Sequence, residues 1–337
     1  MVNRRTLLGS GLVTMASAGL PERLQAARHG DPTTAALLLP LTGPGADLAR
    51  SLHHAADLAQ PAATHGMPSL PAFDSGTTPA AAATAVTAAL RGGAPLLIGP
   101  LYAAQVAATV VAAGPVAVLA LSNDAAQSGA FVVGITPTQA IGAILAYARS
   151  RGVRRIAVDA GASRWDTACA AVAAAIAPRI GLTLTSVEGT ADSVLVPGDG
   201  DALAAAAQRL GAARVQLLGT HQGLDLPEPG VAAIEGTWFA APDPAAFGDF
   251  ARRFETAFGN PPGLVTGLAY DAAAIARTLR AAGHRDPGAV RDALTGSAGF
   301  PGVTGALRFG RDGTAVRELS ILVVNGGRLQ TVARQPA

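Results

Sequence analysis

No lysine occurs among the 337 residues, so all 25 basic side chains are arginines. That absence removes Schiff-base chemistry and the phosphate-cradling lysine of a P-loop at once. A single cysteine, Cys169, excludes an internal disulfide, and on an alanine-rich helix it reads as a buried, inert thiol. Charged residues make up only 14% of the chain and the net balance is +2. With no basic cluster interleaved with aromatics, nucleic-acid binding has no footprint. Aromatics, at 4%, speak against a sugar-stacking site. Carboxylates are sparse and form no pair near a predicted strand end. No G-x-S-x-G elbow, H-E-x-x-H or paired-cysteine pattern occurs. Adjacent His53 and His54 on a helix point about 100° apart and cannot readily chelate one ion together, so they read as solvated surface. The expectation is a chain with no catalytic residues, no metal and no cofactor.

What is abundant is small and apolar. Half the chain is hydrophobic and 40 residues are glycine, a composition for helices packed closely on sheets in one large or two ordinary domains. The first residues stand apart. Asn3-Arg4-Arg5-Thr6-Leu7-Leu8 leads an apolar run to Leu20, with Ala16-Ser17-Ala18 as a small-residue cleavage site and a second cut after Ala26. A charged start, a short apolar middle and that exit describe an export signal over residues 1–26, and the adjacent arginines give it a twin-arginine character. No cysteine follows to accept a lipid, and no later stretch is long and apolar enough to span a bilayer. The expected product is soluble, without a lipid anchor or stable membrane insertion, in the periplasm.

The organising stretch is Gly93–Asp124. Pro95–Ile98 and Val116–Leu121 are apolar runs of strand length, and Tyr102–Ala113 between them has helical spacing. This is a βαβ unit with parallel strands buried on both faces. The same alternation recurs: strands Ala35–Pro40 and Ser69–Phe73 with helices from Ala46 and from Pro79 precede it. Phe131–Val133, Arg154–Val158, Leu182–Val187, Ser193–Pro197, Arg214–Leu218 and Gly236–Ala240 continue it with intervening helices. Helices over Pro244–Phe258, Leu264–Ala282 and Pro287–Leu294 follow. Ala306–Phe309 and Glu318–Val324, around Arg311-Asp312-Gly313, read as a terminal hairpin. Breaks near Gly134–Pro137 and Asn260–Pro262 divide the α/β chain into two doubly wound lobes, residues 33–135 plus 261–305 and 136–260 plus 306–332, with a hinged cleft between them.

In open α/β sheets ligands sit beyond the carboxyl ends of the strands. Thr42, Tyr102, Ser122, Asn123, Asp124 and Trp165 fall at such ends and would face the cleft. The same residue types also favour turns and caps, so the pattern alone admits both readings. Gly43-Pro44-Gly45 sits where a dinucleotide fingerprint would, but Leu48 occupies the place of its third small residue and Pro44 lacks a backbone donor.

Leu37–Gly43 (LLLPLTG), Ile98-Gly99-Pro100-Leu101, Leu121-Ser122-Asn123, Gly134–Thr138, Ala269-Tyr270-Asp271-Ala272 and Gly302–Gly313 resemble, in order and spacing across residues 33–330, the type I periplasmic-binding-protein fold. They are closest to its leucine/isoleucine/valine-binding branch. Leu37–Leu52, the Leu195–Asp201 turn, Arg214–Thr220 and Gly236–Pro242 are most similar to the penicillin-binding protein activators, envelope proteins that contact peptidoglycan synthases and are not enzymes. The resemblance implies either that role or the alternative one, a receptor delivering an amino acid or other small polar ligand to an ABC permease. It also implies where a ligand would be held. The hydroxyls that hold an amino-acid carboxylate in this branch map to Ala103 and Ala126, and the acid that holds the ammonium maps to His221-Gln222. Asp124 is the available substitute, and Trp165 retains an aromatic wall. Missing two hydroxyls and a charge partner costs several kcal/mol, at about 1.5–3 kcal/mol per charge-assisted hydrogen bond. Anchorage differs as well, since activators typically carry the lipid-accepting cysteine that this chain lacks.

Overall fold

The computed structural model describes residues 34–59, 69–124, 129–187, 189–211, 215–224, 232–296 and 299–335. The export-signal reading of residues 1–26, Ala126 and Arg214 lie outside them.

Alternation of apolar residues builds the first sheet. Its strands are β1 (Ala36–Leu39), β2 (Ala72–Asp74), β3 (Leu96–Ile98), β4 (Ala117–Ala120) and β5 (Phe131–Val132), all parallel in the order β2-β1-β3-β4-β5. Leu37, Leu39, Leu96, Ile98 and Leu119 enter one core, whereas Ala36, Leu38, Leu97, Val118 and Ala120 enter another on the opposite face. A strand's side chains alternate between faces, so a run apolar throughout needs helices on both sides. They are supplied by α1 (Ala46–Leu58), α2 (Pro79–Arg91) and α3 (Ala103–Ala113). Alanine at the buried positions of α2 (Ala82, Ala85 and Ala89) keeps that packing close.

The second sheet repeats the scheme. β6 (Arg155–Val158), β7 (Thr183–Thr185), β8 (Ser193–Val196), β9 (Gln216–Thr220) and β10 (Trp238–Ala241) are parallel. β13 (Leu319–Asn325) and β14 (Arg328–Gln335) join antiparallel, giving β14-β13-β10-β9-β8-β6-β7. Its helices are α4 (Pro137–Ser150), α5 (Arg164–Ile176) and α6 (Gly200–Leu210); of the three that follow in the chain, α7 (Pro244–Phe258) and α8 (Leu264–Ala281) pack against α1 and α9 (Pro287–Gly296) against β4 of the first sheet. Helix starts carry the expected caps. Thr78, Ser163, Asp199 and Asp243 each accept a backbone N–H, and Thr136 forms a capping box with Gln139. Each such cap contributes about 1 kcal/mol. The Gln139 side chain also donates to the Ala315 carbonyl at 2.7 Å, fixing the start of α4 to a distant strand.

The terminal hairpin is where the structure departs from the expectation. β11 (Leu307–Phe309) pairs with β12 (Ala315–Arg317) as a separate two-stranded sheet, and β13 instead crosses to pair with β10 and β14. β12 carries an inward arginine and an exposed valine, Val316, so it lacks an apolar signature. In β14 the residues between Leu329 and Val332 are polar, and a solvent-facing edge strand of that kind is weakly marked in sequence. His53 and His54 also differ. Both are half-buried, His53 bonding Ser69 at 3.1 Å and His54 stacking on Phe258 with ring centroids 4.2 Å apart.

The connections between the two sheets converge on one buried ion pair. Asp271, in α8, accepts from the Val303 and Thr304 amides at 2.7 and 3.0 Å and from the Thr304 hydroxyl. Arg317 lies 3.9 Å from Asp271 and donates to the Thr304 hydroxyl, to the carbonyls of Thr304 and Gly305, and to the carbonyl of Val133. Val133 begins the passage from the first sheet into α4, and residues 304–305 lead back toward the second sheet, so one guanidinium ties two passages together.

Candidate functional site

The strand ends of both sheets border a divided cleft. One compartment, about 520 Å³, is walled by the β3–α3 turn (Leu101, Tyr102, Ala103) and the residues after β4 (Leu121, Ser122, Asn123). The turn after β9 (His221, Gln222, Leu224) and the start of α8 complete it. The other, about 590 Å³, lies between Asn123-Asp124, the start of α4 and the first turns of α5, including Arg164 and Trp165. Ala103 and Asn123 belong to both. Volumes of this size suit a small molecule.

Each wall residue is positioned by a local cause. Two glycines allow close approach. At Gly45 a Cβ would sit 2.5 Å from the Tyr102 hydroxyl, and at Gly134 it would overlap the Ser122 carbonyl. Ser122 is buried, and its hydroxyl accepts the Asp124 amide at 3.1 Å, turning the chain out of β4. Trp165 is held by its indole N–H, which donates to the Pro197 carbonyl at 2.9 Å, and Thr220 donates to the same oxygen at 3.0 Å. Its ring meets that of His221 edge-on at 5.1 Å. The Gln222 amide nitrogen lies 3.2 Å from the His221 ring nitrogen. Burial, reinforced by the charge of Arg317, pushes His221 down to about 4, so the imidazole is neutral at neutral pH.

Of the residues singled out from sequence, Tyr102, Ala103, Ser122, Asn123, His221 and Gln222 line the first compartment. Ala103, Asn123, Asp124 and Trp165 line the second. Thr42 lines neither. Its hydroxyl donates to Asp74 at 2.6 Å, which with the Leu41 and Gly76 amides fastens the β1 turn to the end of β2. That bond from Thr42 leads in holding the Asp74 carboxyl below its ordinary value. Thr42 is thus a turn residue, the alternative its residue type had left open.

Sequence reasoning passed over the apolar wall, Leu101, Leu121, Ile135, Leu264, Val265 and Leu268. The break at Asn260–Pro262 marked the start of α8, but nothing local tells a core leucine from one beside a cavity. It also passed over Arg164, whose guanidinium lies 3.9 Å from the Asp124 carboxylate at the open side of the second compartment. Cys169, elsewhere in α5, is fully buried, and burial lifts its thiol to about 12, which leaves no reactive thiolate. Among the described residues, no group of three His, Cys, Asp or Glu is placed to hold a metal ion, and no helix is long and apolar enough to cross a membrane.

Comparison with known proteins agrees with this architecture. Residues 191–328 match the family model described as "Periplasmic binding protein". No curated protein matches the chain in sequence. Among solved structures, a protein from Rhodospirillum rubrum described as a branched-chain amino acid ABC transporter superposes with a TM-score of 0.75 at 21% identity, covering 88% of this chain and all of that one. A solute-binding protein of an ABC transporter from Rhodopseudomonas palustris, in complex with 3,4-dihydroxybenzoic acid, gives 0.69 at 16% identity over 89% of this chain and 96% of that one. The C-domain of LpoA from Haemophilus influenzae, a regulator of PBP1A, gives 0.68 at 15% over 89% and 99%. These likenesses span both sheets, and with the two parallel sheets and the cleft at their strand ends they establish that the chain has the type I periplasmic-binding-protein fold.

Proposed function

We propose that the protein is a non-catalytic, exported binding protein that acts in the cell envelope as a penicillin-binding protein activator does, by contact with a peptidoglycan synthase. Its lobes are residues 33–135 with 261–305 and residues 136–260 with 306–332, moving about the passages that Arg317 joins. The observation that carries this reading is the chemistry of the cleft. Among the described residues no carboxylate lines the compartment where a receptor of free amino acids would hold an ammonium, alanine stands at position 103 where a hydroxyl is expected, and His221 is neutral. An amino-acid zwitterion left without those partners loses several kcal/mol at about 1.5–3 kcal/mol per charged hydrogen bond. The likeness to the LpoA C-domain supports the same reading.

A second reading, a receptor that presents a small ligand to an ABC permease, is favoured by the cavity itself, about 520 Å³ of space walled from both sheets. In that reading ligand shifts the population of open and closed lobes, and closure is what the permease recognises.

The test is to add the purified protein to a bifunctional peptidoglycan synthase of the same bacterium and measure glycan polymerisation. The activator reading expects a stimulated rate that survives Trp165→Ala. Loss of stimulation with Trp165→Ala, in a protein that stays folded, would move function into the cleft. No stimulation and no co-purification would reject the activator role.

A further inference from the structure

Resting on the second reading, that the cleft takes a ligand at all, we infer that the compartment between the two sheets selects a mainly apolar carboxylate or carboxamide that carries no ammonium group. The inference comes from an imbalance in the wall. Its body is aliphatic, with leucines 101, 121, 224, 264 and 268 and Ile135 facing the space. Among the described residues its polar side chains are Tyr102, Ser122, Asn123, His221 and Gln222, and none is a carboxylic acid. The Ser122 oxygen already accepts the Asp124 amide, which leaves its O–H to donate. Asn123 and Gln222 add amide N–H donors. The described wall therefore offers donors for a carbonyl or carboxylate oxygen and no carboxylate for a cation.

A further observation bears on the sign of charge. His221, in this wall, feels the charge of Arg317, which is itself paired with Asp271 at 3.9 Å. Among the described residues, the Trp165 ring of α5 meets the His221 ring edge-on and the Gln222 amide nitrogen lies 3.2 Å from it, and neither is an acid. The nearest cleft carboxylate, Asp124, borders the other compartment and lies 3.9 Å from Arg164. An ammonium in the first compartment would be stripped of water with no carboxylate among the described wall residues to pair it.

Four probes with one side chain isolate this property: leucine, leucinamide, N-acetyl-leucine and N-acetyl-leucinamide. Titrated calorimetrically into the folded protein, the two acetylated probes should bind at least roughly tenfold more tightly than the two free amines, as expected for one unpaired charge. Comparing N-acetyl-leucine with N-acetyl-leucinamide then separates a carboxylate head from a carboxamide head. Gln222→Glu, at a half-buried turn position, supplies the missing anion and should reverse the order in favour of leucinamide. Leucine binding as tightly as its acetylated form, or none of the four binding, would overturn the inference. Leucine binding as tightly as its acetylated form fails the inference alone, whereas no binding by any probe fails the reading that the cleft takes a ligand, and the two are told apart.

Discussion

Two arginine–aspartate pairs in this protein have the same separation, 3.9 Å, and opposite surroundings. Arg317 and Asp271 have side chains 0% and 3% exposed, where the passages between the sheets meet. Arg164 and Asp124 are 87% and 26% exposed, at the mouth of the cleft. Distance alone would rank them equal. Dielectric and hydrogen bonding do not, because a buried charge has surrendered its water and must be repaid by fixed partners, whereas an exposed one keeps its water and is screened. The inner arginine is surrounded by four acceptors on residues 133, 304 and 305 besides the carboxylate, so it works as a clasp. The outer one is a movable charge beside a site.

The largest expected effect follows from the clasp. Arg317→Ala removes one partner of a buried pair and strands the carbonyl of Val133, and such changes typically destabilise by about 3–5 kcal/mol. Urea unfolding should show that loss. Arg317→Lys keeps the charge but cannot reach the Val133 and Thr304 oxygens with one planar fork, so it should restore only part of it. If Arg317→Ala costs less than 1 kcal/mol, the two pairs are equivalent after all and the clasp is dismissed.

A smaller effect sharpens the contrast, because the inner arginine reaches the cleft and the outer one is not among the causes acting on His221. His221 is lowered from 6.5 to about 4 by burial first and by Arg317 second. A group whose folded pKa is depressed binds its proton more readily in the unfolded chain, so for a histidine acidification favours unfolding. Stability should be unaffected above pH 6.5, fall as pH drops from there, and level off below about 4. The loss by pH 5 is on the order of 1–2 kcal/mol. His221→Gln should remove that portion of the pH dependence, which denaturant titrations at pH 7 and pH 5 would read. An unchanged pH slope would mean that His221 is solvated.

These arguments also mark what could be read from the chain alone. The parallel sheets were legible because their strands are apolar on both faces, as in Leu96–Ile98, and because Pro79, Pro137 and Pro244 announce helix starts. That residues after β3 and β4 line the compartments was legible because strand ends in such sheets border the cleft. Thr42 obeyed the same rule and yet turned to Asp74, since a threonine hydroxyl beside a carboxylate takes the local bond. Arg317 was invisible for the opposite reason. It is one charge in a short strand, and its partners lie 12 to 184 residues away, so no local pattern points to it.

The smallest effect concerns the outer pair, and it separates stability from binding. Arg164→Ala should change stability by about 0–1 kcal/mol, because exposed pairs return little after side-chain entropy and screening. Raising salt should shrink even that difference, as expected for charges within reach of counter-ions. A loss above 2 kcal/mol would mean that the cleft mouth is as structural as the inner clasp. With the expected small value, Arg164 is free to be judged on ligands alone. Its guanidinium stands beside the Trp165 wall of the second compartment, so a probe that fills this space with a carboxylate should lose affinity in the variant while the unfolding midpoint stays in place. The outer pair would then be read by what it binds, and the inner pair by what it holds together.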